Sequence, residues 1–326
     1  MKKFSVAIIG LGQIGQGYDY DKSSIDLILT HASAYCYHDK FELVAAVDPD
    51  PIQRGRFISK FKLPVYEDVA SLVAKHRPDI FSICTPSSPH FRVFQQIIPH
   101  RPAAILCEKP IALELSEAKE MVNIAESQHC ALLVNYMRRF EPGVKALKET
   151  LRRRDVGQIE KGVCWYSKGI LNNGSHYIDL LRFLLEDVTD MCVIKKGRKT
   201  MGDDPEPDVF FRFGQVPVFF LALREEFFSV GRLELMGTGG HILYDDFGDT
   251  IRIRNAEADV LLKGYRVLSR KSEDIPTDLG RCQWHVVDHL YQHLITGKPL
   301  LADGRSAVEN LAVIDKIKQS CMEANK

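Results

Sequence analysis

Through residue 134, short apolar runs alternate with segments that have helical spacing. Each run is nearly continuous in Val, Ile, Leu, Ala or Phe, which is typical of strands covered on both faces of a sheet. In one intervening segment, LSEAKEMVNIAESQHC, apolar residues fall on a single stripe of a helix. Strand–helix alternation of this kind predicts a doubly wound parallel sheet. The apolar runs are FSVAIIG, FELVAAVD, IFSICTP, AAILCEKP and ALLVNY.

The pattern changes after residue 134. Two helix-like stretches, GVKALKETLRRR and SHYIDLLRFLLED, precede a region from 191 to 268 that has the alternation of strands. The glycines of GTGGH suit a tight hairpin there, and from Gln283 the chain returns to helix, with a break at TGKPL. We therefore predict an α/β domain over residues 1–134 and a mixed α+β domain with an antiparallel-rich sheet over residues 135–326.

A glycine-rich turn follows the first predicted strand. The strand VAIIG runs into Gly10, Gly12 and Gly15, with Gln13 and Ile14 in the same turn. Such a turn places backbone N–H groups and a helix N-terminus against a pyrophosphate. The strand and turn together predict a dinucleotide site formed by these five residues, and the alternative is an unoccupied turn.

A dinucleotide site of this type is usually confirmed by an acidic residue that ends the second strand about 20 positions later. Asp48 ends the strand ELVAAVD, but it lies 33 residues after Gly15. The excess of about 12 residues matches the length of the polar, turn-prone segment Gly17–Leu29, GYDYDKSSIDLIL. We therefore predict an insertion early in the first helix.

Asp48 also bears on the choice of cofactor. Its negative charge would repel a 2′-phosphate, so it favours NAD, with NADP as the other cofactor to consider. The alternative is that Asp48 only begins the turn DPDP.

Taken in order, seven motifs resemble the glucose–fructose oxidoreductase/inositol dehydrogenase (Gfo/Idh/MocA) family. The resemblance implies an N-terminal Rossmann domain that binds NAD(P) and a C-terminal substrate-binding and oligomerisation domain with a large, mostly antiparallel open sheet. It also implies oxidation or reduction of sugars, cyclitols or nucleotide-linked sugars such as those of surface polysaccharides. The motifs are GLGQIG at 10–15, VDPDP at 47–51, CTPSSPH at 84–90, CEKP at 107–110, MRRFEP at 137–142, GSHYID at 174–179 and the TGKPL tail.

Lys109 is the first candidate for the catalytic acid/base. Glu108 and Lys109 follow an apolar strand at its carboxyl end, where doubly wound sheets bind ligands, and Pro110 disfavours helix at Lys109. The resemblance gives the lysine its proton-transfer role and places Thr85 and Pro86 on the nicotinamide side of the cofactor, with Glu108 and Lys109 also in cofactor contact. The alternative for Lys109 is a solvated side chain at a strand end.

His176 is the second catalytic candidate. It lies in the predicted first turn of a helix, and the spacing to Asp179 puts both side chains on one side of that helix. The resemblance implies a histidine here that faces the substrate, followed by an acidic residue or Asn. We expect Asp179 to orient the imidazole or to bind substrate hydroxyls, and a purely structural role is its alternative. Packing or helix capping is the alternative for His176.

Asn172 departs from the family pattern, in which many members have Asp four residues before this histidine. Asparagine cannot take a proton, so proton handling would fall to Lys109 and His176. Asn172 is then a helper that hydrogen-bonds a substrate hydroxyl.

Further substrate contacts are predicted at two places. Arg139, with Arg138, resembles a basic family element that could hold a phosphate or carboxylate, although arginines that start a helix are usually solvated. In the insertion we expect Tyr18, Asp19, Tyr20 and Asp21 to shape the rim of the substrate cleft. The carboxylates there would face the substrate and accept sugar hydroxyls, and Tyr18 and Asp21 are the predicted substrate-binding residues. A surface excursion without ligand contact is the alternative. 

Composition argues against other classes of partner. Lys plus Arg and Asp plus Glu number 43 each, which disfavours nucleic acid and membrane surfaces. No apolar stretch approaches the roughly 18 residues needed to span a bilayer. The eight scattered cysteines suit reduced thiols in a cytoplasmic protein.

Two other patterns bear on metals and on oligomers. His285, His289 and His293 lie one turn apart, but no thiolate or carboxylate framework accompanies them, so no metal site is predicted. The aromatic run VFFRFGQVPVFFLAL favours a sheet that packs against a partner subunit, and hence a homodimer or homotetramer through the C-terminal sheet.

The sequence thus predicts an NAD-preferring dehydrogenase or reductase of a small polyhydroxylated substrate. A redox-neutral glycosidase that uses NAD and a dinucleotide-dependent sensor without catalysis are the other two classes left open.

Overall fold

The computed structural model of the chain describes residues 3–22, 24–200 and 204–322. The chain forms two compact units. One runs through Phe140 and also includes Gly280–Glu309, and the other consists of Glu141–Leu279 and the chain from Asn310 onward. These boundaries differ from the predicted ones because residues 280–309 return to the first unit, where Asn135 Nδ2 donates to Gln283 Oε1 at 3.0 Å. The functional roles given to the two domains stay predictions.

The first unit contains a parallel sheet of six strands within the described ranges, in the order β3-β2-β1-β4-β5-β6. This is the strand order of a doubly wound nucleotide-binding fold, so the predicted Rossmann sheet is confirmed. Every residue of the two strands β4 and β5 is buried, as expected for apolar runs covered on both faces. The strands are β1 (Phe4–Ile9), β2 (Phe41–Val47), β3 (Val65–Tyr66), β4 (Ile80–Ile83), β5 (Ala104–Cys107) and β6 (Ala131–Val134).

Helices connect these strands. Their starts follow local chemistry: Asp50 accepts a hydrogen bond from Ile52 N and is followed by Pro51, which has no N–H to leave unpaired in the first turn. The helices of this part of the chain are α1 (His31–Tyr37), α2 (Pro51–Phe61), α3 (Val69–Val73), α4 (His90–Ile97) and α5 (Leu115–Ser127).

The last residues of five strands lie side by side. Ile9 pairs with Val47 and Ile83, Ile83 pairs with Cys107, and Cys107 pairs with Val134. The residues that follow them therefore form one row along the carboxyl edge of the sheet, where ligands of such folds bind. The row consists of Gly10, Asp48, Cys84, Glu108 and Asn135.

The second unit holds a larger sheet. It has nine strands in the described residues and is antiparallel except for the pair β7–β10, so the predicted large, mostly antiparallel sheet is confirmed. The hairpin predicted at GTGGH joins β11 to β12. The strands are β7 (Ile159–Tyr166), β8 (Val188–Lys195), β9 (Asp208–Phe213), β10 (Val216–Ala222), β11 (Gly231–Gly237), β12 (Gly240–Asp245), β13 (Thr250–Ala258), β14 (Arg266–Leu268) and β15 (Glu273–Asp274).

Helices α6 (Pro142–Arg153) and α7 (Ser175–Leu184) lie in the second unit, and a π-helical turn over Gly169–Gly174 leads into α7. Helix α8 (Cys282–Thr296) belongs to the first unit. Helix α9 (Gly304–Met322) begins there after the predicted break at TGKPL and continues in the second unit. Across the described ranges, no helix combines the length and the apolar character needed to cross a bilayer.

The predicted insertion lies between a π-helical turn at Gln13–Gly17 and helix α1. It forms a non-helical loop over residues 18–30, called here the 18–30 loop, of which Ser23 lies outside the described residues. Asp19 closes this loop. Its carboxylate accepts hydrogen bonds from Leu29 N at 2.8 Å, Thr30 N at 3.1 Å and Thr30 Oγ1 at 2.7 Å. Thr30 in turn caps α1 by accepting from Ser33 N.

The start of the loop also packs against α2. Lys60 Nζ donates to the backbone oxygens of Asp19 and Tyr20, and the Tyr20 hydroxyl donates to Arg56 O at 2.9 Å. The Arg56 guanidinium lies 4.2 Å from the centre of the Tyr20 ring. The expectation that Asp19 faces substrate is therefore wrong, because this side chain is 0% exposed and binds the two ends of its own loop.

Replacing Asp19 tests this role in loop closure. Asp19→Ala leaves two backbone N–H groups and a hydroxyl without their charged acceptor, so we expect the free energy of unfolding to fall by about 2–3 kcal/mol. Urea denaturation followed by circular dichroism measures the change.

Asp21→Ala is the matched control for the same loop, since Asp21 is exposed. We expect this variant to stay within about 0.5 kcal/mol of the wild type. Equal losses in both variants would contradict the closing role of Asp19.

Candidate functional site

The three glycines of the turn after β1 have different surroundings. Gly10 has a φ of +98°, and a Cβ added to it would lie 2.6 Å from Thr85 N. A Cβ on Gly15 would lie 2.2 Å from Gly10 O. Gly12 is exposed, and a Cβ on it would meet no atom within 4 Å. Gly10 and Gly15 therefore permit tight packing of the turn, while Gly12 leaves the backbone open to a ligand.

Gln13 and Ile14 begin the π-helical turn that follows. Gln13 is exposed and Ile14 is half-buried, so both lie at the open side of the glycine turn. Their predicted cofactor contacts stay predictions.

Asp48 lies beside this turn and holds it. Its carboxylate accepts from Leu11 N at 2.7 Å and from Asp50 N at 2.8 Å. Both interpretations of Asp48 thus have a structural basis, since it begins the DPDP turn and also places a negative charge against the glycine turn. A carboxylate has about four lone-pair sites, so these two bonds leave capacity for a ribose hydroxyl.

Thr85 and Pro86 follow β4 at the same edge. Within the residues that the structure describes, the buried Thr85 Oγ1 has no hydrogen-bond partner. Buried hydroxyls are normally paired, so this one is suited to a bound group. The open face of Gly12, the charge of Asp48 and the hydroxyl of Thr85 together fit a dinucleotide.

Glu108 follows β5 and is the centre of a buried polar network. Its Oε1 accepts from Asn135 Nδ2 at 2.5 Å and lies 2.9 Å from His31 Nε2, while Lys109 N donates to its Oε2 at 3.3 Å. Burial alone would raise the pKa of Glu108. The hydrogen bond and charge of His31, the hydrogen bond from Asn135 and the charge of Lys109 outweigh burial and lower the pKa of this carboxyl below its ordinary value.

Two buried histidines flank the turn that carries Lys109. His31 Nδ1 lies 2.6 Å from Ser82 Oγ, so its imidazole joins β4 to Glu108. On the other side, His90 Nδ1 lies 2.9 Å from Pro110 O and His90 Nε2 lies 3.0 Å from Thr85 O. The backbone around the partly exposed Lys109 is therefore held from both sides.

In the second unit, His176 lies in the first turn of α7, as predicted, and is half-buried. Asp179 lies one turn further on and is 1% exposed. Asn172 is exposed on the π-helical turn before α7, and Ser175 Oγ donates to Asn172 O at 2.9 Å.

A carboxylate that the sequence did not indicate fixes the turn around Asn172. Asp204 accepts from Leu171 N and Asn172 N, both at 2.9 Å. A Cβ on Gly169, which has a φ of +82°, would lie 2.0 Å from Asp204 Oδ2. Asp204 thus binds the backbone at Asn172, the position where the sequence departs from the pattern that it resembles.

The remaining predicted substrate residues belong to the first unit. Arg139 is buried in a short 3₁₀ helix over Met137–Phe140, and its Nη1 donates to Leu301 O at 2.7 Å. This bond gives Arg139 a structural contact, whereas Tyr18 and Asp21 are exposed on the 18–30 loop. Their substrate contacts stay predictions.

The histidines of α8 have protein partners of their own. His289 Nε2 accepts from Leu301 N at 3.2 Å, and His293 Nδ1 lies 2.7 Å from Lys298 O. Among the described residues, no cluster of three or more His, Cys, Asp or Glu has the arrangement of a metal site.

Parts of the chain are similar in sequence to known oxidoreductases. Residues 4–136 match the model of the GFO_IDH_MocA family, an oxidoreductase family with an NAD-binding Rossmann fold. The resemblance to this family is therefore supported over the first unit of the chain. D-glucoside 3-dehydrogenase of Escherichia coli (strain K12) is 29% identical over 155 residues, which are 47% of this chain and 40% of that protein. D-apiose dehydrogenase of Paraburkholderia graminis is 26% identical over 209 residues, 59% of this chain and 52% of that protein. The chain therefore matches about half the length of these relatives.

A solved structure of similar fold extends over nearly the whole chain. An oxidoreductase from Agrobacterium radiobacter, crystallised with NAD+, L-tartaric acid and magnesium, has a TM-score of 0.78 and 18% identity, and the match covers 99% of this chain and 98% of that one. At this identity the likeness concerns the fold of both units.

Sequence reasoning missed several polar residues of this chain. His31, Asn135 and Asp204 carried no motif of their own, because their partners lie 77, 27 and 32 positions away. His90 ends the quoted motif CTPSSPH, so a signal for it was present although no role followed from it.

The lowered pKa of Glu108 predicts a pH-dependent contribution to stability. A carboxyl with a depressed pKa stabilises the fold above its unfolded-state pKa, and this contribution is lost as the pH falls through the folded-state value. We expect Glu108→Gln to be less stable than the wild type at neutral pH. The difference in free energy of unfolding should shrink as the pH falls below the ordinary value of 4.5.

Urea denaturation across this pH range measures the difference. Glu114→Gln, at an exposed carboxyl that precedes α5, is the control and should show a small difference at every pH. A Glu108→Gln difference that stays constant with pH would contradict the stabilisation of the charged carboxylate.

Proposed function

We propose that the chain is an NAD(P)-dependent oxidoreductase that prefers NAD and transfers a hydride to or from a carbon of a polyhydroxylated substrate. The observation that carries this proposal is the row of strand ends in the first unit. It places the open backbone of Gly12, the carboxylate of Asp48, the free hydroxyl of Thr85 and the held turn of Lys109 along one edge of the sheet. When bound, the dinucleotide supplies the hydride donor or acceptor.

Lys109 is proposed as the acid/base that exchanges a proton with the reacting hydroxyl or carbonyl. Its backbone N–H is fixed by Glu108, and its side chain is partly exposed at the ligand-binding edge. In the second unit, His176 is proposed as a second proton-handling group and Asn172 as a hydrogen-bond partner of the substrate. Asp204 supports this assignment, because it leaves the Asn172 side chain exposed while it fixes the backbone.

The substrate is proposed to be a sugar, a nucleotide-linked sugar or a cyclitol. The names of D-glucoside 3-dehydrogenase and D-apiose dehydrogenase support a carbohydrate substrate. The preference for NAD is supported by Asp48, since a second negative charge on a 2′-phosphate would lie near its carboxylate.

Two variants test this function. Gly12→Ala fills the open face of the turn, so we expect NAD to bind at least about tenfold more weakly. Lys109→Ala should still bind NAD but lose turnover by about 10²–10⁴-fold, as expected for the loss of a general acid/base. Calorimetry measures binding, and NADH absorbance with a panel of sugars, nucleotide sugars and cyclitols measures turnover.

Gly55→Ala is the matched control for Gly12→Ala. Gly55 lies within α2, and a Cβ there meets nothing within 4 Å, so binding and turnover should be unchanged and stability should rise by about 0.5–1 kcal/mol.

Near-normal turnover by Lys109→Ala would reject its assigned role. Substrate cleavage without net NADH change would instead identify a redox-neutral glycosidase, and NAD binding without turnover would identify a sensor.

We also propose that the chain forms a homodimer or homotetramer through the sheet of its second unit. Side chains alternate along β9 and β10: Phe211 and Phe220 are fully buried, whereas Phe219 is 40% exposed and its ring lies 5.3 Å from that of Phe210. The half-exposed Val163 pairs with Phe219 on the neighbouring strand. An apolar patch of this kind on a sheet face supports a contact between copies.

Phe219→Asp tests this interface. A charge in the centre of the patch should weaken association by at least about tenfold, which sedimentation velocity over a range of concentrations measures. Phe227→Asp is the control, because Phe227 is 75% exposed on the loop between β10 and β11, away from the strands of the sheet. An unchanged oligomer in Phe219→Asp would reject this face as the contact.

A cytoplasmic location is proposed on the state of the cysteines. All eight lie in described residues, and no disulfide joins any two of them. Burial raises the pKa of Cys84 and Cys107 well above the ordinary value, which leaves these two thiols protonated and unreactive. Reduced thiols are typical of the cytoplasm, and cell fractionation would test the location.

A further inference from the structure

Lys109 depends on Glu108 for the direction of its backbone. Glu108 continues the ladder of the sheet by donating its own N–H to Ile83 O at 2.9 Å. The next N–H, that of Lys109, turns out of the ladder and donates to Oε2 of the Glu108 side chain. The peptide that carries Lys109 is therefore oriented by a carboxylate rather than by the sheet.

The second oxygen of that carboxylate is held by two donors. His31 Nε2 and Asn135 Nδ2 both contact Oε1 of Glu108, and His31 is 0% exposed. A change in either donor would let the carboxylate rotate, and Oε2 would then move away from Lys109 N. The path of contacts from His31 to the Lys109 backbone thus passes through a single side chain.

The orientation of the His31 ring is itself fixed. Its Nδ1 lies 2.6 Å from the hydroxyl of Ser82, which is part of β4, and the Tyr35 hydroxyl lies 3.3 Å from the same oxygen. The Nδ1 contact with Ser82 leaves Nε2 directed at Glu108, and a proton on Nε2 is donated to Oε1. The ring cannot turn without breaking a bond to a buried strand.

The 18–30 loop determines where His31 lies. His31 is the first residue of α1, directly after Thr30, whose N–H and hydroxyl are both bound by Asp19. The loop therefore ends at a fixed point beside the sheet, in spite of its length. By binding Thr30, Asp19 fixes the position of His31, the next residue in the chain.

Apolar side chains in this space would carry a smaller desolvation cost than the histidine and the carboxylate. Burying a carboxylate carries a desolvation cost, and replacing buried charged pairs by apolar groups is often neutral or stabilising. A buried histidine–carboxylate pair next to Lys109 is thus better explained by a need for orientation than by stability. 

We propose that His31 is a positioning residue that holds the Lys109 turn through Glu108, in a place fixed by Asp19 and the 18–30 loop. The catalytic part of this inference rests on the proposed function. The positioning part concerns the protein without cofactor and can be measured separately.

The first measurement is the labelling of Lys109 in the cofactor-free protein. An amine-reactive reagent is applied and the rate at Lys109 is followed by mass spectrometry, in wild type, His31→Ala and His31→Gln. Loss of the donor frees the turn, so the Lys109 rate in His31→Ala should rise about three- to tenfold. His31→Gln keeps an N–H that can reach Glu108 and should label close to the wild-type rate.

His38→Ala is the matched control. His38 is a second buried histidine at the other end of α1, where its Nε2 lies 3.4 Å from Asp288 Oδ1. This variant should leave the labelling of Lys109 unchanged. Equal rises in His31→Ala and His38→Ala, or an unchanged rate in folded His31→Ala, would overturn the proposal.

The second measurement is turnover with the substrate found by the NADH screen. His31→Ala should lower kcat about 10–100-fold while the KM for NAD changes little, and His31→Gln should restore most of kcat. If no polyol changes NADH absorbance in the wild type, the proposed function fails, and the labelling rates still decide the positioning role. If His31→Ala does not fold, Asn135→Ala removes the other donor to Oε1 and takes its place, with unchanged labelling again overturning the proposal.

Discussion

The in-register ends of five parallel strands determine the rest of the first unit. The ladder continues one residue beyond each strand, as Gly10 N donates to Val47 O, Glu108 N to Ile83 O and Asn135 N to Cys107 O. A slip of one residue in any of these strands would turn its final side chain to the opposite face. The glycine turn, the acidic residue and the lysine turn lie along one edge because these backbone bonds align them.

Carboxylates hold the turns and loops of the chain by accepting hydrogen bonds from their backbone N–H groups. Asp48 binds the glycine turn, Glu108 binds the lysine turn, and Asp19 binds the ends of the 18–30 loop. In the second unit Asp204 does the same for the turn before α7. Each carboxylate accepts backbone N–H groups, which compensates for its loss of solvation and fixes a turn or loop outside the strands and α-helices.

Much of this architecture follows from local pattern. Apolar runs, glycines and turn residues predicted the parallel sheet, the GTGGH hairpin, the helices of the second unit and the excess length before Asp48. What the pattern could not give is the set of contacts between distant residues. Nothing near His31 indicates Glu108, and the polar run of the 18–30 loop resembles a ligand-facing surface although Asp19 is buried. Burial and partner choice depend on tertiary packing, which short-range periodicity does not encode.

The double attachment of Asp48 has a consequence for redesign. Work to convert the chain to a phosphorylated cofactor would begin by removing this negative charge. The same carboxylate holds Leu11 N and Asp50 N, so its removal also releases the backbone on which the pyrophosphate would rest. The proposed preference for NAD and the shape of the glycine turn therefore depend on one side chain. A successful switch needs a replacement that still accepts both N–H groups without carrying charge.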